Sequence, residues 1–166
     1  MHLSPLPLRV LVASAVIYCT SVSSVVAQDL VSTEQSRVQK TVDVLAARLG
    51  IAEAVHVSMV PTNRLLMSVE QAEHTFELKV EDGWADTLED TELDAAVAHE
   101  LGHVWVFTHH PFLQTEQLAN EVAMRIVSAK QLAQLYDKVW KRTNVKGDLA
   151  RFLGPEVARG LASPEN

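Results

Sequence analysis

Apolar positions recur at helical spacing in the first and last parts of this chain and alternate with polar positions between them. We predict a helix that begins at Ser32 or Thr33, either of which can cap it, and runs to about Leu49, with Gly50 as its end. Its apolar face consists of Val38, Val42, Leu45, Ala46 and Leu49.

Three short segments after this helix predict strands, because apolar and polar residues alternate in them. Residues 55–60 are the first segment, and residues 64–70 follow a turn at 61–63. Residues 74–80 are the third, which the Asp82-Gly83 turn closes. We therefore expect a small sheet between the helices.

Residues 90–105 predict a mostly buried helix, since apolar residues occupy several of its faces. Asp90 or Thr91 can cap its start, where acidic side chains also suit the helix dipole. Pro111 disfavours helical geometry in the residue before it, so the helix should stop near Thr108. The apolar positions are Leu93, Ala96, Val97, Leu101, Val104 and Trp105.

The sequence after Pro111 predicts a second helical region that continues to about Arg142. Residues 144–147 break the pattern, and residues 149–161 predict a last short helix. The order is helix, small sheet and then helices, which is typical of an α+β domain. The apolar stripe of the second region consists of Leu118, Val122, Ile126, Ala129 and Ala133.

The first 27 residues have the composition of a secretory signal peptide. They contain one basic and no acidic residue, an apolar stretch at 10–19, and Ala27 just before a plausible cleavage site at Gln28. The apolar run is short and then interrupted by Thr and Ser, which favours cleavage over a retained membrane span. We expect a signal peptide at 1–27, one domain at 28–166, and export to the periplasm or the medium by a bacterial-type route.

Composition narrows the possible partners of this domain. The chain has 166 residues and a formal net charge of −7, and all 21 acidic residues lie in the 139-residue segment after Ala27, with 13 basic ones. That length suffices for one domain, and the acidic balance disfavours nucleic acid and anionic membranes as partners. The one cysteine, Cys19, leaves with the signal peptide, so the domain forms neither disulfides nor a thiolate metal site.

The candidate chemistry lies in the segment His99-Glu100-Leu101-Gly102-His103. On a helix, His99 and His103 project from one face, a spacing that suits two nitrogen ligands of one zinc ion. Glu100 can then reach a water molecule in the open position of the metal and act as general base. The alternative is a core helix with two hydrogen-bonded histidines, but it leaves Glu100 buried and unpaired, which is costly. Gly102 weakens the helix, so we expect another backbone to approach closely there.

The third protein ligand of a catalytic zinc should lie downstream, on an element that turns back. Glu116 and Asn120 share a helix face, so we predict Glu116 as the third ligand of one zinc ion per chain. Asn120 would accept a hydrogen bond from the outer nitrogen of a zinc-bound histidine. Glu121 is the rival ligand, although it lies about 100° from Asn120 around the helix. A solvated helix face is the alternative for Glu116.

The other histidines have more ordinary interpretations. His109 and His110 follow the C-terminal end of the predicted helix that carries the HELGH motif, where a cation suits the helix dipole. We therefore favour a role in capping this helix over metal binding. His56 and His74 are expected to be strand residues.

In metal-assisted peptide hydrolysis, a hydrogen-bond donor stabilises the tetrahedral oxyanion, and this donor is harder to place in the sequence. Tyr136 lies 20 residues beyond Glu116, about 30 Å along a straight helix, which is too far unless the helix breaks. Arg151 and Arg159 in the C-terminal part are further candidates.

The segment 92–98, the HELGH motif and Glu116-x-x-Ala119-Asn120 together resemble the gluzincin metallopeptidases. The likeness is greatest to the catalytic core of the HtpX and CAAX-prenyl-protease group and to the soluble minigluzincins, and it covers residues 90–125. It implies a single zincin-like domain, in which a small antiparallel-edged sheet packs on the active-site helix and on a second metal-ligand helix.

Two further expectations come from this resemblance. The related enzymes carry an aspartate at the position of Asn120, so the amide here would orient the histidine but raise its basicity less. The substitution Asn120→Asp should then be tolerated or improve activity. Residues 74–80 occupy the place of the edge strand that binds the substrate backbone in zincins.

The sequence therefore favours an exported zinc peptidase of the gluzincin type that hydrolyses peptides or proteins, with Glu100 as general base. The alternative is a catalytically inactive envelope protein that binds zinc or peptides. No nucleic acid partner is expected, nor a membrane span after signal cleavage, and the sequence leaves the oligomeric state open.

Overall fold

Helix α1 (Ser21–Leu49) packs along the sheet and along the helix that carries the HELGH motif. The computed structural model describes the backbone of residues 21–163 and the side chains of residues 33–163. The predicted signal peptide falls mostly outside the described residues, and residues 21–27 belong to α1. The predicted start of this helix at Ser32 or Thr33 is wrong, because α1 begins at Ser21. Its predicted apolar face is confirmed, since Val38, Val42 and Leu45 are buried, and Gly50 ends the helix with a positive φ. Within the described residues, no helix combines the length and the apolar composition needed to cross a membrane.

The sheet has three strands: β1 (Val55–Val60), β2 (Met67–Ala72) and β3 (Thr75–Glu81). Their order is β1-β3-β2, with β3 parallel to β1 and antiparallel to β2. The inward side chains of β3 are buried, as its alternation predicts. The expectation that residues 74–80 form an edge strand is wrong, however, because β3 is the central strand. Alternation cannot distinguish the two positions, since it reports which face is buried and not which neighbours pair.

The two outer edges of this sheet differ. Along β1 the amide side chain of Gln39 accepts from Val57 N at 2.8 Å and donates to Val55 O at 3.0 Å, while Gln35 donates to Val57 O at 2.7 Å. Side chains of α1 therefore occupy the hydrogen-bonding groups of β1. No strand of the described chain pairs with the outer edge of β2, and Val69 N donates to the Glu100 carboxylate at 3.0 Å. The edge beside the HELGH motif is thus β2.

Helix α2 (Asp90–His109) carries the motif, and its predicted span is confirmed. Its N-cap is Glu89, one residue before the predicted Asp90, and the Glu92 carboxylate accepts from Glu89 N at 2.9 Å. A short 3-10 turn (Ala85–Thr87) precedes it. The buried carboxylate of Glu34 accepts from Ala85 N and Asp86 N of this turn and from Gly83 N before it, which fixes the turn against α1.

The region after Pro111 is not one helix. It divides into α3 (Glu116–Ala123) and α4 (Ala129–Thr143), and the C-terminal part into α5 (Leu149–Leu153) and α6 (Pro155–Ala162). Ser128 starts α4: its hydroxyl accepts from Gln131 N at 3.2 Å, and Gln131 Oε1 accepts from Ser128 N. The Ser-x-x-Gln pattern is a helix-start signal that outweighs the apolar stripe running through it. Gly154 and Pro155 separate the last two helices.

These elements enclose one hydrophobic core between α1, the sheet, α2 and the C-terminal helices. Leu78 from the central strand, Leu93 and Leu101 from α2, and Leu132 from α4 are among its largest fully buried side chains. The predicted α+β class, with one small sheet packed on the helices, is confirmed.

Candidate metal centre

One face of α2 presents the motif to a cavity. The rings of His99 and His103 lie 4.8 Å apart between centroids and nearly perpendicular at 86°. Both rings are half-buried, and Glu100 between them is buried. This part of the site follows from helical spacing alone, because residues four apart lie on one face.

A close contact between helices brings the downstream ligand to this face. Gly102 lies against the backbone of Ala119, and a Cβ at position 102 would overlap the Ala119 carbonyl oxygen. The expectation for Gly102, close approach of another backbone near the motif, is confirmed. The packing of α3 on α2 at this point sets Glu116, one turn before Ala119, opposite the two histidines.

His99, His103 and Glu116 form a three-residue cluster, which we call the metal cluster, whose potential ligand atoms all lie within 4.8 Å of one another. Glu116 Oε2 is 3.3 Å from His99 Nε2, and Glu116 Oε1 is 3.7 Å from His103 Nε2. Ligand atoms about 2.1 Å from a tetrahedral zinc ion are about 3.4 Å apart. The two distances between the carboxylate and the nitrogens therefore match the spacing of ligands around one zinc ion.

The rival carboxylate lies elsewhere. The Glu121 side chain is exposed and accepts a hydrogen bond from Gln117 Nε2 at 3.0 Å, and it does not belong to the metal cluster. The geometry therefore favours Glu116 as the third ligand, although it also has the exposed surface that the solvated-face interpretation requires, with half of its side chain accessible.

The electrostatics of the cluster favour a charged carboxylate beside the rings. Hydrogen bonds from His103 and His99 hold the pKa of Glu116 well below its usual range. Burial alone would lower the pKa of His99, but its hydrogen bond to Glu116 and the nearby carboxylates raise it above the ordinary value. In the metal-free protein, Glu116 therefore favours a proton on the His99 ring, whose Nε2 is one of the atoms that would bind a cation.

Glu100 is 8% exposed, and burial raises its pKa. One of its oxygens accepts from Val69 N on the edge strand β2. The objection to the core-helix alternative, that it leaves Glu100 buried and unpaired, therefore does not apply, because Val69 N of β2 supplies a partner. Glu100 also lines the cavity beside the metal cluster, where a water molecule could reach its carboxylate.

Asn120 is fully buried and contacts His99 from behind. Its Oδ1 lies 3.0 Å from His99 Nδ1, and its Nδ2 donates to Tyr136 Oη at 2.7 Å and to the Phe152 carbonyl oxygen at 3.0 Å. The predicted contact between Asn120 and a histidine of the motif is thus present. Its contacts with Tyr136 of α4 and Phe152 of α5 are not predictable from the sequence, because no local sequence pattern indicates them.

Tyr136 is close to the site because the helix breaks. The turn between α3 and α4 reverses the chain, so the Tyr136 hydroxyl lies 3.3 Å from His99 Nδ1. The hydroxyl therefore lies beside Nδ1 of His99 and not beside Nε2, which faces Glu116, although Tyr136 also lines the cavity. It accepts a hydrogen bond from Asn120, and burial raises the pKa of Tyr136. Of the two arginine candidates, Arg159 pairs with Glu156 and neither lines the cavity.

The remaining histidines among the described residues lie outside the metal cluster. His109 stacks on Trp105 with ring centroids 4.0 Å apart, and its Nδ1 donates to Trp105 O at 2.9 Å, which agrees with the predicted capping role. His110 is exposed at the end of α2. His56 lies in β1 as expected, whereas His74 lies in the turn between β2 and β3.

A cavity of about 600 Å³ opens over the metal cluster. It extends along α2 from Ala96 to Phe107, a distance of about 16 Å. Strand β2 forms one side, and Arg64, just before it, is the only lysine or arginine of the described residues that lines the cavity. Sequence reasoning did not single out this arginine. The other side, formed by α4 and the chain after it, is mostly apolar and consists of Leu135, Val139, Trp140, Val145 and Phe152.

Comparison with protein-family models and with curated proteins finds no match. Among solved structures, the chain is similar to the crystal structure of the metallopeptidase zymogen of Pyrococcus abyssi abylysin, with a TM-score of 0.51 and 14% sequence identity. The similarity covers 67% of this chain and 99% of that chain. At this identity the likeness concerns the fold alone. The chain therefore has a fold similar to that of a small metallopeptidase, with a His-His-Glu cluster able to bind a metal.

Proposed function

We propose that this protein is a zinc-dependent peptidase of the gluzincin type. The observation that carries the proposal is the convergence of His99, His103 and Glu116 around one point, with Glu100 buried beside it and a cavity above. Two imidazoles and one carboxylate are a ligand set found in catalytic zinc sites, which leave one position open. When bound, zinc would supply a Lewis acid that acidifies water and polarises a carbonyl group.

Glu100 is the proton carrier in this proposal. Its raised pKa makes it a better proton acceptor than an ordinary carboxylate, and Val69 N fixes one of its oxygens so that the other can face the cavity. The carboxylate takes a proton from the attacking water molecule and gives it to the leaving amine. The peptide C–N bond breaks, and the products are a carboxylate and an amine.

The outer edge of β2 pairs with no strand of the described residues, although its Val69 N is bonded to Glu100. This edge supports an extended peptide as substrate, since an added strand would pair with its remaining backbone groups. The length of the cavity limits the length of the bound peptide segment, because about 16 Å accommodates about five extended residues. Gln71 is in register with Phe76, which contacts Phe107, so β2 runs along the cavity in the same direction as α2. A peptide antiparallel to β2 would therefore place the residues after the cleaved bond against the apolar side that contains Trp140.

Export is part of the proposal and is supported by the composition of residues 1–27. N-terminal sequencing of the protein recovered outside the cytoplasm of a bacterial host should begin at Gln28. Recovery of the intact N-terminus, in a membrane fraction, would show that the segment is kept as an anchor.

A second candidate is a catalytically inactive protein that binds zinc or peptides. The observation in its favour is that the Tyr136 hydroxyl is bonded to Asn120 behind His99, so this tyrosine is not placed to stabilise an oxyanion on the zinc side.

One experiment separates the two candidates. The chain from Gln28 onward is incubated with unfolded casein and a peptide library, with and without a chelator, beside Glu100→Gln. We expect cleavage that the chelator abolishes, and a loss of about 100- to 10,000-fold in Glu100→Gln with unchanged zinc content. The variant keeps the size of the side chain and loses its basicity. Zinc binding without cleavage of any substrate would favour the binding protein.

A further inference from the structure

The amide of Asn120 has only one orientation that satisfies its contacts. A backbone carbonyl oxygen can only accept a hydrogen bond, so the atom 3.0 Å from the Phe152 carbonyl must be the NH₂ group. The carbonyl oxygen of the amide then faces His99 Nδ1 at 3.0 Å. The usual ambiguity between the two ends of an asparagine side chain is removed here by an atom 32 residues away in sequence.

This orientation determines the protonation of the His99 ring. Since Asn120 Oδ1 can only accept, His99 must carry its hydrogen on Nδ1 and leave Nε2 unprotonated when the ring is neutral. Nε2 is the atom that faces Glu116. The contact thus selects the tautomer that a metal ion needs at this position.

We propose that helix α5 is part of the metal centre, because the Phe152 carbonyl group orients His99 through an amide at position 120 that a carboxylate cannot replace. Phe152 and Asn120 are positioning residues in this proposal. It rests on the proposed function in so far as His99 is taken to bind the metal.

A carboxylate fails at this position for a geometric reason. The substitution Asn120→Asp would set an oxygen in the place of Nδ2, at 3.0 Å from the Phe152 carbonyl oxygen and 2.7 Å from Tyr136 Oη. The hydroxyl could turn to donate, but the carbonyl could not, so two acceptors would face each other at a site with no solvent exposure. The sequence-based expectation that Asn120→Asp is tolerated is therefore reversed.

Packing keeps the Phe152 carbonyl in place. The Phe152 ring contacts Tyr136 at 4.9 Å and Trp140 at 5.8 Å between centroids, and the next residue, Leu153, is 1% exposed. The two aromatic partners belong to α4, so α5 is anchored on the helix that also supplies the Tyr136 hydroxyl. Displacement of α5 would release the amide and with it the ring of His99.

The test compares three variants of the full chain: Asn120→Asp, Asn120→Ala, and Glu121→Gln as a matched control one residue away on the exposed face. Zinc affinity is measured by competition with a chelating dye, and folding of the metal-free proteins by melting temperature. Asn120→Asp and Asn120→Ala should both bind zinc about 10- to 100-fold more weakly, and Glu121→Gln should bind as the natural chain does. Zinc affinity of Asn120→Asp equal to or higher than that of the natural chain would overturn the proposal.

A second measurement applies if Asn120→Asp fails to fold. Phe152→Ala leaves the amide in place and removes the ring contacts of α5, so zinc affinity should fall by several-fold, while Val157→Ala on α6 should leave it unchanged. Unchanged affinity in both variants would contradict a role for α5.

The tautomer itself can be observed without zinc, which separates this inference from the proposed function. In ¹⁵N-histidine spectra of the metal-free natural chain, recorded at a pH high enough for the His99 signals to have stopped changing, His99 should show the Nδ1–H form of the neutral ring. The Nε2–H form would overturn the inference even if the protein cleaves peptides. The Nδ1–H form in a protein that binds no zinc would support the hydrogen-bond geometry and refute the peptidase.

Discussion

The two halves of the candidate site are built in different ways. One half is His99, Glu100 and His103 on α2, whose relative positions follow from the geometry of a single helix. The other half comes from three helices and is brought together by packing; it consists of Glu116, Asn120, Tyr136 and Phe152. The first half spans five residues and the second spans 37.

This difference shows where the site is vulnerable. In the helical half, a side chain can be exchanged without moving its neighbours, because the backbone hydrogen bonds of α2 keep the spacing. In the packed half, each group depends on contacts that lie elsewhere, such as Gly102 against Ala119 and Phe152 against Tyr136. Substitutions far from the metal cluster should therefore affect the packed half and spare the helical half.

The largest effect should follow removal of the one ligand that packing supplies. Glu116→Ala leaves two histidines and should lower zinc affinity by more than the roughly 10- to 100-fold typical of an outer partner. Zinc per chain after dialysis against a weak chelator measures this. The matched control is Glu121→Ala, which should keep one zinc ion per chain. The reverse result would identify Glu121 as the ligand.

A methyl group at the contact between the halves should have the next largest effect. Gly102→Ala places a Cβ against the Ala119 carbonyl group, so α2 and α3 must separate, at a cost of about 1–3 kcal/mol in the free energy of unfolding. Glu116 would move with α3, and zinc affinity should fall although no ligand is changed. Denaturant unfolding and zinc titration of the same variant check both statements.

Gly160→Ala is the control for that substitution. Position 160 lies in α6 with open space around it, so alanine should be neutral or stabilise by up to about 1 kcal/mol. A Gly102→Ala protein as stable as the natural chain would mean that the halves are not held by this contact.

The smallest effect concerns the wall of the cavity. Gly147 lies against the Trp140 indole, and a Cβ there would overlap the ring, so we expect Gly147→Ala to displace Trp140, which lines the cavity. The preference for a large over a small apolar residue after the cleaved bond should fall by about 10-fold, measured as a ratio of kcat/KM values. Zinc affinity should not change. Gly160→Ala is again the control and should leave this ratio unchanged. An unchanged ratio in Gly147→Ala would show that Trp140 does not contribute to substrate selection.

Several features are predictable from the sequence because they are local. The span of α2, the face shared by its two histidines, the end of α1 at Gly50 and the burial pattern of β3 all follow from spacing and from helix-end signals within a few residues. The reason for Gly102 is also predictable in kind, since a glycine inside a helix needs a close neighbour to justify its cost.

The break between α3 and α4 differs from the prediction although a local signal exists. Ser128 and Gln131 have the spacing of a capping box, but the apolar stripe through Ile126 and Ala129 favours a continuous helix. The buried residues of α4 are Leu132, Leu135 and Tyr136, which belong to a different stripe. The break places Tyr136 beside His99, whereas a straight helix would keep it about 30 Å from Glu116.

The sequence by itself determined which residues could bind a metal and that two of them share a helix face, because a helix fixes those distances through its own backbone hydrogen bonds. Tertiary structure decided that β2 and not β3 is the open edge, that Glu116 rather than Glu121 meets the histidines, and that Asn120 bonds to the Phe152 carbonyl. These three features depend on which surfaces pack and which strand edges pair between segments tens of residues apart. The periodicity within one segment does not indicate which distant segment it will contact.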